Sequence, residues 1–75
     1  MNIEIHYCAQ CNYQPAAAGL AAELKENIGV DATLVAGGSG IFDVRVDGKL
    51  VYSKRDTYRF PESGEVTALL RARES

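Results

Sequence analysis

"IFDVRVDGKLVYS", residues 41–53, is the stretch that decides how the chain folds. Two runs of β-branched and aromatic residues flank Asp47-Gly48, a dipeptide suited to a two-residue hairpin turn with positive φ at both central positions. Such a turn sets a register. It predicts Val46 opposite Lys49, Val44 opposite Val51 and Phe42 opposite Ser53 on one face of a sheet. Asp43, Arg45, Leu50 and Tyr52 then fall on the other face.

Working outward, "DATLVA" at residues 31–36 is a compact aliphatic and β-branched run ended by "GGSG", which predicts a strand and then a loop. Before it, Ala17, Leu20, Ala21, Leu24 and Ile28 recur at helical spacing from Pro15 onward, and Gly29 stands where a helix C-terminal cap belongs. "IEIHY" at residues 3–7 alternates, placing Ile3, Ile5 and Tyr7 on one face and Glu4 and His6 on the other. After the hairpin, "KRDTYRFPES" reads as a polar connection. A last helix is predicted from about Glu62 or Ser63, with Val66, Leu69 and Leu70 as its buried stripe.

The order is β-α-β-β-β-α, an α/β fold. A strand–helix–strand unit is parallel and right-handed while the hairpin is antiparallel, so the predicted four-stranded sheet is mixed, with helices mainly on one face. If both helices cover the face of Ile5, Phe42, Val44 and Val51, then Leu50 and Tyr52 are left uncovered. That open face is a candidate surface for a protein partner or a homodimer.

A chain of 75 residues, 47% hydrophobic and 24% charged, has the composition of one small globular domain spanning residues 1–75. The net charge of −2 supplies no general attraction to nucleic acid or to anionic lipid. Met1 and Asn2 lead directly into the first strand without the marks of a secretory leader, and "AAAGLAA" stops at Glu23, far short of a membrane span. The expected location is cytoplasmic, where cysteines are kept reduced, are bound to metal or are used for chemistry.

The chain has two cysteines, Cys8 and Cys11, in "HYCAQCNYQP" between the first strand and the first helix. Thiol exchange needs a thiolate, and a helix N-terminus stabilises one. Pro15 inside a helix that began at Cys8 would cost roughly 3 kcal/mol, whereas a start between Cys11 and Gln14 puts it in the tolerated first turn. Asn12 is then the predicted cap, and Cys11 is the sulfur expected to have the lower pKa. Structural zinc requires four ligands, typically a second such pair or two histidines, and the chain offers only His6 beyond the pair. Haem attachment fails because Asn12 stands where a histidine is needed. A redox couple leads, with a metal site and buried structural cysteines as the alternatives.

Three segments in order, "YCAQCNYQP", "GGSGIFDVRVDGKLVYSK" and "RFPESGEV", resemble selenoprotein W and the wider SelT/SelW/SelH (Rdx) family in its cysteine-containing bacterial form, over nearly the whole chain. The resemblance implies a thioredoxin-like fold and a thiol redox role linked to glutathione. Selenium-containing members carry selenocysteine at the position of Cys11, so this sulfur form is expected to be the weaker in any peroxidase-like reaction. No proline precedes the strand beginning at Ile41, where thioredoxins carry a cis-proline beside the active site; the "GGSG" loop is expected there instead.

The expected function is thiol–disulfide oxidoreduction in cell redox homeostasis, with Cys8 and Cys11 as the catalytic, redox-active pair. Cys11 attacks or is attacked, and Cys8 resolves the mixed disulfide. No metal or organic cofactor is called for; glutathione or a protein thiol is the expected reaction partner. A redox-responsive interaction module without turnover is the alternative. Gly37, Gly38, Ser39 and Gly40 form a candidate substrate loop, against a plain flexible turn. Lys54, Arg55 and Arg59 suit the carboxylates of glutathione, though a solvated loop explains them more simply. His6 is read as a solvated strand residue beside Glu4 and Arg45, and Tyr7 and Tyr13 as packing residues near the sulfurs.

Overall fold

The computed structural model describes residues 1–74; Ser75, the last residue of the expected domain, lies outside them. Strands β1 (Ile3–Cys8), β2 (Ala32–Gly37), β3 (Phe42–Val46) and β4 (Lys49–Ser53) form a mixed four-stranded sheet in the order β2-β1-β3-β4. β1 pairs in parallel with β2 and antiparallel with β3, so the strand that leads into the cysteines is internal. Helix α1 (Gln14–Ile28) makes the crossover, and helices α2 (Lys54–Thr57) and α3 (Glu65–Glu74) follow the hairpin.

One core lies between sheet and helices. Ile3, Ile5, Phe42, Val44, Val46 and Tyr52 from the sheet meet Ala17, Leu20 and Leu24 of α1 and Val66 and Leu70 of α3. α1 starts at Gln14, as Pro15 requires, and closes at Gly29, which is left-handed and donates its N–H to the Lys25 carbonyl. Asn12 is not its cap. The cap position belongs to Tyr13 without a side-chain hydrogen bond, and Asn12 instead takes φ 61° in the turn before it.

At the hairpin tip Asp47 and Gly48 have φ of 52° and 83°, as the two-residue turn demands. The Asp47 carboxylate accepts from the N–H of Asn2 at 2.9 Å and the Asp47 N–H donates to the Asn2 carbonyl at 2.8 Å, which ties the turn to the start of the chain. Gly48→Ala is expected to lose roughly 1–2 kcal/mol because an L side chain must enter the left-handed region. A thermal melt checks it, and a change of less than about 0.5 kcal/mol contradicts the strain account.

The register holds for only two pairs. Val46 faces Lys49 and Arg45 faces Leu50, but a bulge then shifts the ladder so that Val44 faces Tyr52 and Asp43 faces Ser53. Val51 is the extra residue, not the partner of Val44. Beyond the bulge the alternation inverts, so Tyr52 enters the core at 4% exposure and is removed from the open face, while Leu50 stays 45% exposed. Tyr52 completes its burial with a hydrogen bond from its hydroxyl to the Arg59 carbonyl at 2.7 Å. Ser53 donates to the buried Asp43 carboxylate at 2.7 Å.

The connection after β4 also departs from its expected form. Ser53 Oγ accepts from the Arg55 N–H at 3.2 Å and so caps α2, a helical turn that closes at left-handed Tyr58. α3 begins later than predicted because Gly64 has φ 82°, outside the helical region. Its buried positions are Val66, Thr67 and Leu70, whereas Leu69 is 38% exposed. Thr67 is buried without loss because Asn27 Nδ2 donates to its hydroxyl at 3.0 Å.

Arg59 is not free for a ligand. Its guanidinium grips the Glu65 carboxylate with two bonds, of 2.6 and 2.8 Å, and the Glu62 N–H donates to the same carboxylate at 2.9 Å. Those bonds, Arg59 first, hold the Glu65 carboxyl down to about 2 and push the Arg59 guanidinium higher still. The folded value lies below an unfolded value of about 4.3, so the clamp stabilises the fold above that range and fades as pH falls toward 2. Glu65→Gln is expected to flatten the loss of melting temperature between about pH 4.3 and the lowered value. Acid melts of both forms test this; an unchanged slope in the variant refutes it.

Candidate redox site

Cys8 is the last residue of β1 and lies at 1% exposure; Cys11 is half-buried, three residues on. The two are joined in a disulfide with their Cα atoms 5.3 Å apart. Two nested turns fold the segment onto itself: the Asn12 N–H donates to the Ala9 carbonyl and the Tyr13 N–H to the Cys8 carbonyl, both at 3.3 Å. Left-handed Asn12 allows this reversal, as asparagine tolerates that region better than most residues. The pair therefore sits between an internal strand and the start of α1.

Each sulfur faces a backbone donor. The Cys11 N–H points at Cys8 Sγ at 3.1 Å, and the Gly40 N–H points at Cys11 Sγ at 3.3 Å. Donors of this kind stabilise a thiolate once the S–S bond opens. The Cys8 N–H donates to the Ile41 carbonyl at 2.8 Å, which pins the end of β1 to the residue entering β3. The "GGSG" loop thus lies directly against the disulfide, but its members differ. Gly40 contacts Cys11, Gly37 pairs with Cys8 in the strand register, and Gly38 and Ser39 are exposed in the turn, where Gly38 accepts from the Ile41 N–H.

Beside the pair, Tyr13 meets Phe60 edge to face with centroids 4.8 Å apart, and Phe60 meets the buried Phe42 in the same way at 5.1 Å. The Lys54 ammonium lies 5.6 Å from the Tyr13 ring and 5.5 Å from the Phe60 ring. This stack joins the core to the motif, and sequence reading missed it because its four members come from separate segments. The Gly40 amide was missed as a sulfur donor for a similar reason: the glycine pattern indicates close approach without naming what approaches.

His6 points elsewhere. Its Nε2 is 2.9 Å from the Glu4 carboxylate, two residues away on the same strand face. Among the described residues no group of three or more histidine, cysteine, aspartate or glutamate side chains is gathered in a way that could hold a metal. No described helix is long and apolar enough to cross a membrane. A wider cleft of about 520 Å³ runs along α1 beside Phe60 and Pro61, and neither cysteine lines it.

A mixed sheet with a two-cysteine disulfide between its internal parallel strand and the crossover helix defines a thioredoxin-like dithiol domain of the selenoprotein W type. The chain belongs to the Rdx family, which matches residues 2–72. Among its relatives are proteins named migration and invasion enhancer 1, from Bos taurus, 32% identical over 74 residues, and from Mus musculus, 29% identical over 72. These alignments cover 96% and 95% of this chain but 64% and 63% of the relatives, so the chain spans a little under two thirds of their length.

Two crystal structures have the same architecture. A protein from Bordetella parapertussis superposes with a TM-score of 0.91 at 29% identity, covering 96% of this chain and 95% of that one. A selenoprotein W-related protein from Vibrio cholerae gives 0.88 at 27% identity, covering 95% and 92%. Family membership and the Cys8–Cys11 disulfide together point to a redox role.

Proposed function

We propose that the protein is a thiol–disulfide oxidoreductase that exchanges with glutathione or protein thiols in the reducing environment of the cytoplasm. The observation that carries this reading is the asymmetry of the disulfide, with Cys8 buried and Cys11 half-buried beneath the Gly40 amide. An incoming thiolate attacks Cys11 Sγ, the Cys8–Cys11 bond breaks, and Cys8 leaves as a thiolate that takes up a proton. A second thiolate attacks the bound partner's sulfur, a new partner disulfide departs, and Cys11 is released. Two thiols are oxidised and one protein disulfide is reduced. In reverse, Cys11 opens a substrate disulfide and Cys8 resolves the adduct.

This chemistry needs no resident metal or organic cofactor; glutathione serves as co-substrate. Equilibration in glutathione redox buffers with intact-mass readout tests the reading. The expected result is reversible interconversion of dithiol and intramolecular disulfide, together with catalytic reduction of a small disulfide. One oxidation with altered partner affinity and no turnover would favour a redox-responsive interaction module instead. A pair that stays in one state at every poise would leave neither.

A further inference from the structure

The cleft of about 520 Å³ along α1 lies apart from the disulfide, with neither cysteine in its lining. Its floor is apolar: Leu20 and the fully buried Phe42 close it from below, and Phe60, 37% exposed, forms a wall. Its charged lining is all of one sign, from Glu23 and Glu26. Glu23 Oε1 accepts from the Ser63 hydroxyl at 3.2 Å and from the Gly64 N–H, two neutral donors that leave the carboxylate's charge in place. Among the described residues neither glutamate forms an ion pair, since those pairs join Lys25 with Asp31, Arg59 with Glu65 and His6 with Glu4. Arg71 reaches the Asn27 carbonyl at 3.1 Å but does not line the cleft.

Gly19 supplies an independent observation. It stands inside α1, where glycine is among the poorest helix formers, and it lines the cleft. A Cβ built there would meet nothing within 4 Å, so no neighbour in the fold requires its absence. Gly37 is the contrast, since a Cβ there would come within 2.9 Å of Ile41 Cγ2. A helical glycine with no internal reason for its place keeps the cleft wall open to the close approach of another chain.

Residues 19, 23 and 26 fall on one face of α1, within about 60° of one another and at successive rises of about 6 Å and about 4.5 Å. An extended chain presents every second side chain on one side, about 6.7 Å apart. The two spacings are close enough for long side chains to follow.

We propose that the cleft binds an extended segment of a partner protein with the pattern apolar-x-basic-x-basic. The apolar side chain lies over Gly19 against Phe60, and the two cations reach Glu23 and Glu26. A simple amine would use the carboxylates alone, whereas the apolar wall and the open helix surface at Gly19 suit a side chain on the same peptide. The site does not depend on the exchange reading, because no sulfur takes part in it.

The test is fluorescence anisotropy with a fluorescein-labelled peptide, Gly-Leu-Ser-Arg-Ser-Arg-Gly, together with amide NMR shifts that locate it. The expected result is saturable binding that weakens as salt rises, with shifts centred on residues 16–27 and 60–63. Exchanging both arginines of the peptide for glutamate should abolish binding, and exchanging its leucine for glycine should weaken it. Gly19→Gln should weaken binding by about tenfold with no fall in melting temperature, because glutamine favours a helix and has room there. Glu26→Gln should weaken it by about threefold, the scale of one exposed charge pair. Absence of saturable binding, shifts centred elsewhere, or an affinity unchanged in both variants overturns the proposal. Displacement by spermine, with the leucine-free peptide bound as tightly as its parent, would mark a site for amines alone and overturns the peptide assignment.

Discussion

Cys11→Ser is expected to abolish exchange with glutathione, lowering the rate of disulfide turnover by roughly three orders of magnitude or more, the scale of removing a nucleophile. Cys8→Ser is expected to behave differently. Its remaining Cys11 should accumulate a glutathione adduct, because the buried resolving thiol is gone and nothing expels the bound partner. Intact mass and peptide mapping of both variants distinguish the roles. The prediction follows from access: an attacking thiolate must approach along the S–S axis, and Cys8 at 1% exposure offers no such path while the fold is closed. Adducts that form on Cys8 in Cys11→Ser, with none on Cys11 in Cys8→Ser, would reverse the assignment.

Phe42→Ala is expected to lose roughly 3–5 kcal/mol, the usual range for emptying a fully buried aromatic site. Phe42 is at 0% exposure in the centre of the core and also supports Phe60, which in turn meets Tyr13 beside the disulfide. In a domain of this size, whose whole stability is on the order of 5 kcal/mol, the change should lower the melting temperature by about 15 °C or more. Phe60→Ala should be milder, at about 1 kcal/mol, since Phe60 is 37% exposed and loses chiefly its edge-to-face contacts. Denaturant melts of both variants test the ranking. A larger loss in Phe60→Ala would place the mechanical centre of the fold at the surface stack rather than under the sheet.

Much of the candidate site was legible in advance, but unevenly. The Cys8–Cys11 spacing is local, and Pro15 fixed the start of α1 through a steric rule that needs no tertiary information. His6 fell on the open strand face through alternation alone. Arg59 was different: its bidentate hold on Glu65 removes it from the basic stretch that suited glutathione, and nothing in "KRDTYRF" distinguishes it from Arg55. Long flexible cations choose partners by what the fold brings near them.

The hairpin shows where reading from sequence stops. Asp47-Gly48 determined the turn and the first two pairs, since positive φ at both residues is a property of the turn itself. The bulge at Val51 was decided elsewhere. In "KLVYS" the three residues Leu50, Val51 and Tyr52 are all able to face a core, so alternation does not say which two face the same way. The same ambiguity placed Leu69 in the expected stripe of α3, where Thr67 is buried against Asn27 instead.

By itself the sequence determined the order of the four strands and the two longer helices, the hairpin turn, the first turn of α1 and the close spacing of the cysteine pair, because each depends on steric or chemical preferences within a few neighbouring residues. Only the tertiary structure decided that Tyr52 turns inward, that Gly40 meets Cys11, that Lys54 settles on Tyr13 and Phe60, and that Cys8 is the concealed sulfur. Those outcomes depend on burial and on donors and rings supplied by distant segments, and burial is a property of the assembled sheet and helices.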